Sequence, residues 1–364
     1  MNPRPHSLIA EVTHRCPLHC VYCSNPREMR AGGEELPTEQ WARVFGEAAE
    51  MGILHLHLTG GEPASRQDLR ELISAGRGAG LYVNLITSGL GLNEDRLKTL
   101  LAAGLDHVQL SFQDCEEEPA NQFAGTRAHA RKLELAKIIA KHPVGFTVNI
   151  VVHRQNLGRL KAMITMAEEL GVDRMEIANV QYYGWALANR DRLMPTRQQM
   201  EECVALVAAE QQRLKGRLRI DFVPPDYYAR YPKACMGGWG TGLLLVDPAG
   251  RVLPCHAAAV IPGLTFDNVQ QRPLSQIWKE SPAFQRFRGE EWMQEPCRTC
   301  DRRAQDFGGC RCQAMLLTGD AAAADPICTL APGRKLVDTI LLAVNSSEGS
   351  AREWVYRIDP VGSS

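Results

Sequence analysis

The chain has 364 residues, a formal net charge of −1 and 45% hydrophobic residues. A charge near zero, with Lys and Arg scattered rather than clustered, gives no indication of a basic surface for nucleic acid. The hydrophobic content is that of a globular protein with a sizeable core. The longest apolar runs are too short to span a bilayer, and the N-terminal residues do not form the charged and apolar segments of a signal peptide. We therefore expect a cytoplasmic protein without a membrane span or a nucleic-acid partner.

The first 220 residues alternate between short apolar segments and longer amphipathic ones. Such alternation predicts parallel strands joined by crossover helices. Six units of this kind indicate an α/β fold, a (βα)6 partial TIM barrel with its chemistry at the C-terminal ends of the strands; a doubly wound sheet is the alternative. The predicted strands cover residues 7–13, 53–59, 82–88, 107–112, 145–152 and 174–180, and the predicted helices cover residues 39–51, 68–79, 94–103, 127–141, 157–170 and 196–214.

After residue 220 the composition of the chain changes. The segment FVPPDYYARYP is rich in proline and tyrosine, and it leads into a region rich in glycine and cysteine. We predict a first domain over residues 1–220, a second over residues 221–330, and a tail of unknown role over residues 331–364. Residues 241–255 predict a β-hairpin around an Asp-Pro-Ala-Gly turn. In the tail, SSEGSAREW predicts an exposed or disordered end.

The twelve cysteines are clustered. In a reducing compartment, clustered cysteines indicate metal or redox chemistry rather than disulfides. Cys115 and Cys203 stand apart, and we interpret both as small buried apolar residues. The others form an N-terminal group of three and a C-terminal group of seven.

The N-terminal group, Cys16, Cys20 and Cys23, directly follows the first predicted strand in RCPLHCVYC. A compact loop with this spacing can bind three irons of a [4Fe–4S] cluster and leave the fourth iron open to a ligand. The alternative is a structural zinc site, which requires a fourth ligand such as His14 or His19.

Two further segments lie at the ends of the second and third predicted strands, LTGGEP at 58–63 and LITSG at 85–89. With THRCPLHCVYC they resemble the radical S-adenosylmethionine (SAM) superfamily over residues 7 to about 215. The resemblance implies that SAM chelates the open iron, and that the reduced cluster cleaves SAM to a 5′-deoxyadenosyl radical that takes a hydrogen atom from the substrate. It also implies SAM contacts from Tyr22, Gly60, Gly61, Glu62, Pro63 and Ser88.

Within this set, Glu62 is expected near the ammonium of SAM and Tyr22 against its adenine. Ser88 stands where relatives often have Asn, in a turn that contacts the ribose. At the ends of later strands, the polar residues are either candidates for SAM or substrate contacts or ordinary residues of the barrel rim. They are Ser111, Gln113 and Asn149.

The seven C-terminal cysteines resemble the SPASM domain, which carries auxiliary iron–sulfur clusters in peptide-modifying radical SAM enzymes. Two four-ligand sites need one ligand more than these thiols provide. Asp306 occupies a position where a cysteine is common, and its carboxylate can bind iron; the alternatives are a solvated Asp306 and zinc knuckles around residues 297–300. One cluster is assigned to Cys235, Cys255, Cys310 and Cys312, and the other to Cys297, Cys300, Asp306 and Cys328.

Residues 7 to about 330 resemble more closely the peptide-cyclising radical SAM enzymes of pyrroloquinoline quinone (PQQ) biosynthesis. YYGWALANRDRLMPT, CMGGWG and GRVLPCHAAAVIPGLTFDNV carry this resemblance, and an Asp at position 306 is itself a feature of that family. It implies a C–C crosslink between a glutamate and a tyrosine of the PqqA precursor peptide, with the auxiliary clusters as electron acceptors. It also implies the peptide chaperone PqqD and an external electron donor of the flavodoxin or ferredoxin type.

Two other hypotheses remain. A related SPASM enzyme, such as a sulfatase maturase or a thioether-forming enzyme, would use the same chemistry on another peptide or protein. A metalloprotein that only transfers electrons, or that uses its metal structurally, would account for the cysteines but not for GGEP beside the triad.

Overall fold

A computed structural model describes residues 3–27, 35–346 and 353–357. Its framework is one nine-stranded sheet. The strands are β1 (Ser7–Thr13), β2 (His55–Gly60), β3 (Tyr82–Thr87), β4 (His107–Phe112), β5 (Gly145–Val152), β6 (Arg174–Asn179), β7 (Arg219–Phe222), β8 (Leu243–Val246) and β9 (Val252–Leu253).

The strand order is β7-β6-β5-β4-β3-β2-β1-β8-β9, so each of the first six strands lies beside its successor in the chain. Strands β1 to β7 pair in parallel, as crossover helices between them require. The sheet is not closed, because β7 and β9 form its two edges. This arrangement confirms the predicted partial barrel, and it brings the C-terminal ends of the first six strands to one rim.

Helices cover the outer face of the sheet, where alternate strand residues such as Leu56 and Leu58 are fully buried. Trp41 and Phe45 of the first helix are buried in the same core. The helices are α1 (Thr38–Glu50), α2 (Leu69–Gly78), α3 (Glu94–Ala102), α4 (Glu117–Ala124), α5 (His129–Ile139), α6 (Leu160–Glu169), α7 (Gly184–Ala188), α8 (Arg190–Leu193), α9 (Arg197–Arg213), α10 (Leu274–Glu280), α11 (Pro282–Gln285), α12 (Arg303–Asp306), α13 (Arg311–Thr318) and α14 (Arg334–Ser346).

Each of the six predicted strands and six predicted helices corresponds to an observed element, with small differences at the ends. The helix predicted over residues 157–170 begins with a 3₁₀ turn, Leu157–Arg159, before α6. The sequence does not predict β7 or the short helices α4, α7, α8, α10, α11, α12 and α13. Each of them is shorter than the window of about 11 residues over which apolar periodicity is recognised.

The predicted hairpin at residues 241–255 consists of β8 and β9, which pair antiparallel around the turn at residues 247–250. In addition, β8 pairs in parallel with β1, from Ser7 opposite Leu243 to Ala10 opposite Val246. The sheet that begins in the first predicted domain therefore continues past the boundary expected near Asp221.

The tail contains a helix that the sequence analysis missed. Val337, Leu341 and Val344 of α14 are buried against Met194 and Tyr227. The exposed or disordered end expected from SSEGSAREW falls largely on residues 347–352, which lie outside the described residues. At the end of that segment the expectation was wrong, because the Trp354 ring packs edge-on against Phe123. Among the described residues, no helix combines the length and the apolar composition needed to cross a membrane.

Candidate active site

The cysteine triad lies in a loop after β1 that is joined closely to the end of β2. The backbone N–H of Gly61 donates to the Thr13 carbonyl, and that of Glu62 donates to the Arg15 carbonyl, both at 2.7 Å. A Cβ on Gly61 would lie 2.3 Å from the Arg15 oxygen. Gly60 has a φ of 122°, which favours glycine. The two glycines therefore let the β2 end pass directly beneath the triad loop.

The far side of the loop is also fixed. Asn25 Nδ2 donates to the Gly60 carbonyl at 3.1 Å. The backbone N–H of Ala186, in α7, donates to the Cys23 carbonyl at 3.0 Å. The triad loop therefore leaves β1 and returns to contact β2 and α7, and its shape is set by backbone contacts on both sides.

The three thiols of the triad are half-buried. Burial raises the pKa of Cys16 to about 11 and that of Cys20 to about 12. Thiols in such surroundings lose their protons to a bound metal more readily than to water, because the metal supplies the compensating charge. The donor set therefore fits an iron cluster.

The histidines considered as fourth ligands have other partners. His14 Nε2 lies 3.5 Å from Glu11 Oε2. His19 Nδ1 donates to the carbonyl oxygen of Arg357 at 2.6 Å. Among the described residues, neither histidine forms a single-ion site with the three thiols. The loop therefore offers three thiolates, the number that a cluster with one open iron requires.

Glu62 is fully buried at the end of β2, and its carboxylate is bound within the protein. Oε1 accepts from Ala64 N at 2.9 Å and from Thr87 Oγ1 at 2.6 Å. Oε2 accepts from both the backbone N–H and the hydroxyl of Ser88. The sequence predicts that Glu62 and Ser88 each contact SAM. In the structure they bind each other, and this contact joins the end of β2 to the end of β3. Pro63 begins the buried turn Pro63–Ser65 that follows.

Lys132 of α5 is a residue that the sequence analysis missed. It is 1% exposed. Its Nζ donates to Gln113 Oε1 at 2.6 Å and to the Ser111 carbonyl at 3.0 Å. Burial lowers its pKa to about 8, whereas the nearby Cys20 and Glu62 act to raise it. Lys132 therefore places a positive charge beside the triad, and it binds two of the predicted rim residues, Ser111 of β4 and Gln113 just after it.

A signal for Lys132 was present in the sequence. It falls on the apolar stripe of the predicted helix 127–141, one turn before the buried residues Leu135 and Ala136. A lysine on the buried face of a helix needs a specific partner, so its position alone indicates a functional or structural role.

The remaining rim candidates lie at the same edge. The Tyr22 ring packs against His153, with ring centroids 5.7 Å apart, and burial raises the pKa of its hydroxyl well above the ordinary value. Asn149 of β5 is half-buried and pairs in register with Ser111 on one side and Glu176 on the other.

Four C-terminal cysteines lie together in a first auxiliary group. Cys255 Sγ is 3.7 Å from Cys312 Sγ. Cys310 interacts with the thiols of both Cys235 and Cys312. The hydroxyl of Tyr183 lies 3.4 Å from Cys310 Sγ. These are the four cysteines that the sequence analysis assigned to one cluster.

The buried Asp325 holds the loop of this first group. Its Oδ2 accepts from the Cys310 backbone N–H at 2.7 Å, and its Oδ1 accepts from Gln313 Nε2 at 2.9 Å. Burial raises the pKa of Asp325 to about 7. The sequence analysis missed this residue, which lies three positions before Cys328 in a segment without a helical or strand pattern.

Asp306 ends α12 and is 7% exposed. Its Oδ1 accepts from Gly308 N at 3.1 Å, and its Oδ2 lies 3.4 Å from Arg302 Nε. Burial raises the pKa of Cys297 to about 11, and the charges of Asp306, Cys328 and Cys300 also raise it. The four residues assigned to the second cluster are therefore close enough to affect one another.

Across residues 3–27, 35–346 and 353–357, no group of three or more His, Cys, Asp or Glu side chains is arranged to hold a single metal ion. The ligands of a four-iron cluster bind different irons, so they lie further apart than the ligands of one ion.

Glu11 of β1 connects the triad side to the first auxiliary group. Its Oε1 accepts from Nδ1 of His256, the residue after Cys255, at 2.9 Å. Burial acts to raise the pKa of Glu11, but hydrogen bonds and charge from His14 and His256 lower it to about 2. An ionised carboxylate therefore lies between the two cysteine groups.

Comparisons with known proteins agree with this geometry. Residues 10–167 match the model of the radical SAM superfamily, and residues 235–301 match that of the SPASM iron–sulfur cluster-binding domain. A PqqA peptide cyclase of Methylobacterium sp. (strain 4-46) is 52% identical, with 98% of this chain and 94% of that protein covered. A PqqA peptide cyclase of Gluconobacter oxydans is 54% identical, with 90% of this chain and 91% of that protein covered.

Solved structures share the fold at low identity. Streptococcus suis SuiB bound to its precursor peptide SuiA has a TM-score of 0.76 at 18% identity, with 90% of this chain and 76% of that chain covered. The enzyme anSMEcpe with bound AdoMet has a TM-score of 0.65 at 17% identity, with 93% of this chain and 96% of that chain covered. Because identity to the curated cyclases exceeds half over nearly the whole chain, this protein belongs to the PqqA peptide cyclase family of radical SAM enzymes with a SPASM domain.

Proposed function

We propose that this enzyme joins a glutamate and a tyrosine side chain of the PqqA peptide by a C–C bond, an early step of PQQ biosynthesis. The observation that carries the proposal is the triad loop, which is fixed against the glycines at the β2 end while a second group of four cysteines lies across Glu11. The identity to PqqA peptide cyclases supports this choice of substrate.

In this proposal, Cys16, Cys20 and Cys23 hold a [4Fe–4S] cluster whose fourth iron binds SAM. When bound, SAM and the reduced cluster supply a one-electron cleavage of the SAM C–S bond and remove one hydrogen atom from the glutamate side chain. Gly60 and Gly61, which pass closely beneath the loop, are proposed to contact the methionyl group of SAM. The other SAM contacts carried over from the sequence are Tyr22, Glu62, Pro63, Ser88, Ser111, Gln113 and Asn149.

The charges of the site suggest how SAM is oriented. Lys132 is a buried cation on the triad side, and it fits the carboxylate of SAM by charge and by its unused hydrogen-bonding capacity. Glu62 is already bound to Thr87 and Ser88, so its role is to fix the β2 and β3 ends rather than to bind the ammonium alone.

The two auxiliary groups are proposed to complete the redox balance. Forming the C–C bond removes one hydrogen atom from the glutamate, and restoring the tyrosine ring then releases a proton and an electron. Cys235, Cys255, Cys310 and Cys312 hold the cluster nearer to Tyr183, and Cys297, Cys300, Asp306 and Cys328 hold the other. The first of these clusters is the proposed acceptor for the electron, because Glu11 and His256 join its cysteine group directly to the barrel.

The proposed partners are the PqqA peptide, the chaperone PqqD that presents it, and an external donor of the flavodoxin or ferredoxin type. A structural relative was solved with its precursor peptide, which supports a peptide as the class of substrate. A cytoplasmic location is proposed as well, since free thiols that bind clusters require a reducing compartment.

The test is mass spectrometry of PqqA after incubation with the reconstituted enzyme, PqqD, SAM and a reductant. The peptide should lose two hydrogen atoms, and fragmentation should show a crosslink between glutamate and tyrosine. The variant in which Cys16, Cys20 and Cys23 are replaced by Ala is the control, and it should form neither 5′-deoxyadenosine nor crosslinked peptide.

An unmodified PqqA peptide beside abundant 5′-deoxyadenosine would contradict the proposed substrate and favour another peptide or protein. Undiminished SAM cleavage by the triple variant would contradict the proposed cluster site. No SAM cleavage by the fully reconstituted enzyme would favour a metalloprotein that only transfers electrons.

A further inference from the structure

The described end of the chain, residues 353–357, lies across the triad loop; we call it the C-terminal strap. One buried side chain, Asn189, attaches it. Asn189 Nδ2 donates to the carbonyls of Val21 at 2.8 Å and Val355 at 2.7 Å. Its Oδ1 accepts from the Val355 backbone N–H at 2.9 Å. A single amide therefore connects the strap, through two hydrogen bonds, with the backbone between Cys20 and Cys23, through one.

Arg357 extends the contact to the beginning of the loop. It is 4% exposed, and one of its terminal nitrogens donates to the His14 carbonyl at 3.1 Å. Its own carbonyl accepts from His19 Nδ1 at 2.6 Å. These contacts lie two residues before Cys16 and one residue before Cys20. The strap thus contacts the triad loop before Cys16 and before Cys20, and it is connected through Asn189 to the backbone between Cys20 and Cys23.

Aromatic packing anchors the rest of the strap. The Arg192 guanidinium lies over the Trp354 ring, 3.8 Å from its centroid, and the Phe123 ring meets Trp354 edge-on at 6.0 Å. Tyr356 packs in the same apolar cluster as Val21. Its ring lies so close to Gly125 that an added Cβ there would be 3.0 Å away. The strap is therefore held in this position by aromatic packing as well as by hydrogen bonds.

The charge of Arg357 matches the loop beneath it. Three cysteine thiolates around a [4Fe–4S] cluster give the site a net negative charge that becomes larger on reduction. A buried guanidinium beside such a site stabilises the reduced form, because charge interactions are strong where water is excluded. Arg357 is held beside the loop by its contacts with His14 and His19, which precede Cys16 and Cys20 by two residues and one residue.

We propose that the C-terminal strap holds the triad loop in the shape that retains its cluster, and that Arg357 is a positioning residue whose charge raises the reduction potential of that cluster. The inference rests on the proposed cluster at the triad. It gives the tail, to which the sequence analysis assigned no role, a place in the first step of the reaction. SAM cleavage begins from a reduced cluster, so a cation that favours reduction raises the fraction of enzyme that is ready for the step.

The experiment compares Arg357→Gln, Arg357→Lys and Asn189→Ala with the unchanged enzyme, all reconstituted in the same way. The readouts are iron per chain and redox titration followed by EPR, with the N-terminal and auxiliary signals separated by adding SAM. Arg70→Gln is the matched control, because Arg70 is exposed on α2 and pairs with its neighbour Glu71.

We compare the variants at the potential where the N-terminal cluster of the unchanged enzyme is half reduced. At that potential, the ratio of reduced to oxidised cluster in Arg357→Gln should be at least tenfold lower. This corresponds to a shift of about 59 mV for a one-electron couple. Arg357→Lys should recover most of the difference, and Asn189→Ala should lose iron from the N-terminal cluster alone. Auxiliary signals should be unchanged in all variants, which shows that each has folded.

A titration of Arg357→Gln that coincides with that of the unchanged enzyme would overturn the role of its charge. Full retention of the N-terminal cluster in Asn189→Ala would overturn the role of the strap. If the unchanged enzyme shows no cluster that depends on Cys16, Cys20 and Cys23, it is instead the proposed function that fails.

Discussion

Lys132 combines burial, charge and unused hydrogen-bonding capacity. An ammonium group has three N–H donors, and Gln113 and the Ser111 carbonyl accept two of them. Burial lowers the pKa of Lys132 to about 8, so most of the side chain is charged at neutral pH. A carboxylate bound beside the triad would provide the missing acceptor and the compensating charge.

Lys132→Gln should weaken SAM binding by tenfold or more. A hydrogen bond between charged groups contributes about 1.5–3 kcal/mol, and a factor of ten corresponds to about 1.4 kcal/mol. The measurement is the dissociation constant of SAM for the reconstituted enzyme, with iron content recorded. Lys137→Gln, on the exposed face of α5, is the control and should bind SAM normally. Equal affinities in the two variants would exclude this role for Lys132.

Asp306→Ala should lose or weaken one auxiliary cluster, whereas Asp306→Cys should keep it with a changed EPR signal and potential. The reason is that a carboxylate is a harder and less electron-donating ligand than a thiolate. Iron content, auxiliary-cluster EPR and crosslinking yield are the measurements. Asp301→Ala changes an exposed carboxylate in the same segment and should have no effect. If Asp306→Ala also has none, Asp306 is a structural residue.

At the residue scale, the sequence predicts candidate site residues where their chemistry is local. Cysteine spacing and the adjacent glycines define the triad and the β2 end without reference to the rest of the chain. Lys132, Tyr183 and Asp325 were missed because their partners are distant in sequence or lie in segments without a pattern. The pairing of Glu62 with Ser88 was missed for the same reason: it joins the ends of two strands that only the folded sheet brings together.

At the scale of elements, the short helix α7 joins two parts of the site. Ala186 N donates to the Cys23 carbonyl, and Tyr183, just before α7, reaches Cys310. Gly184 begins the helix with a φ of 50°. A Cβ at this position would lie 2.0 Å from the carbonyl oxygen of Asn25. The approach of α7 to the triad loop therefore requires a glycine.

Gly184→Ala should separate α7 from the triad loop. We expect a loss of stability greater than about 1 kcal/mol, together with lower occupancy of the N-terminal cluster. Thermal unfolding and iron analysis test this. Gly158→Ala is the matched control, since nothing lies within 4 Å of a Cβ added there. Cluster occupancy in Gly184→Ala equal to that of the control would show that the loop accommodates the methyl group.

Elements were predictable in proportion to their length and periodicity. The crossover helices and the first six strands were identified because each buries a regular apolar face. Strand β7 has four residues and no such pattern, so its place at the edge of the sheet came only from the structure. Helix α14 was missed although Val337, Leu341 and Val344 follow a helical spacing.

For the molecule as a whole, the sheet encloses polar groups as well as apolar ones. Asn84 Nδ2 donates to His57 Nδ1 at 3.1 Å, so this nitrogen is unprotonated and the ring is neutral. Burial lowers the pKa of His57 to about 4, and the nearby charges of His55 and His107 act in the same direction. In the folded protein at neutral pH, the imidazole of His57 is therefore uncharged.

The stability of the enzyme should consequently fall in mild acid. A histidine in the unfolded chain binds a proton below about pH 6.5, whereas His57 in the folded protein binds one only below about pH 4. Between these values the unfolded state holds more protons, so the free energy of unfolding decreases as the pH falls. The contribution of His57 is at most about 3 kcal/mol.

In His57→Gln, the free energy of unfolding should decrease less between about pH 7 and about pH 5 than in the unchanged enzyme. The test is the melting temperature of each protein at these two pH values. His142→Gln, in the turn after α5, is the control and should behave like the unchanged enzyme. Identical acid sensitivity of the two variants would contradict a neutral His57.

The pairing of β8 with β1 affects how this enzyme could be recombined with relatives. An edge strand that loses its neighbour exposes unpaired N–H and C=O groups, which promote aggregation. A chimera joined near Asp221 would exchange the hydrogen-bonding neighbour of β1 together with the cysteine-rich region. Such a chimera should fold only if the incoming strand preserves the register from Ser7 opposite Leu243 to Ala10 opposite Val246. A functional exchange should therefore transfer the region from β8 onward together with the β1 strand that it pairs with, because the two are hydrogen-bonded neighbours in one sheet.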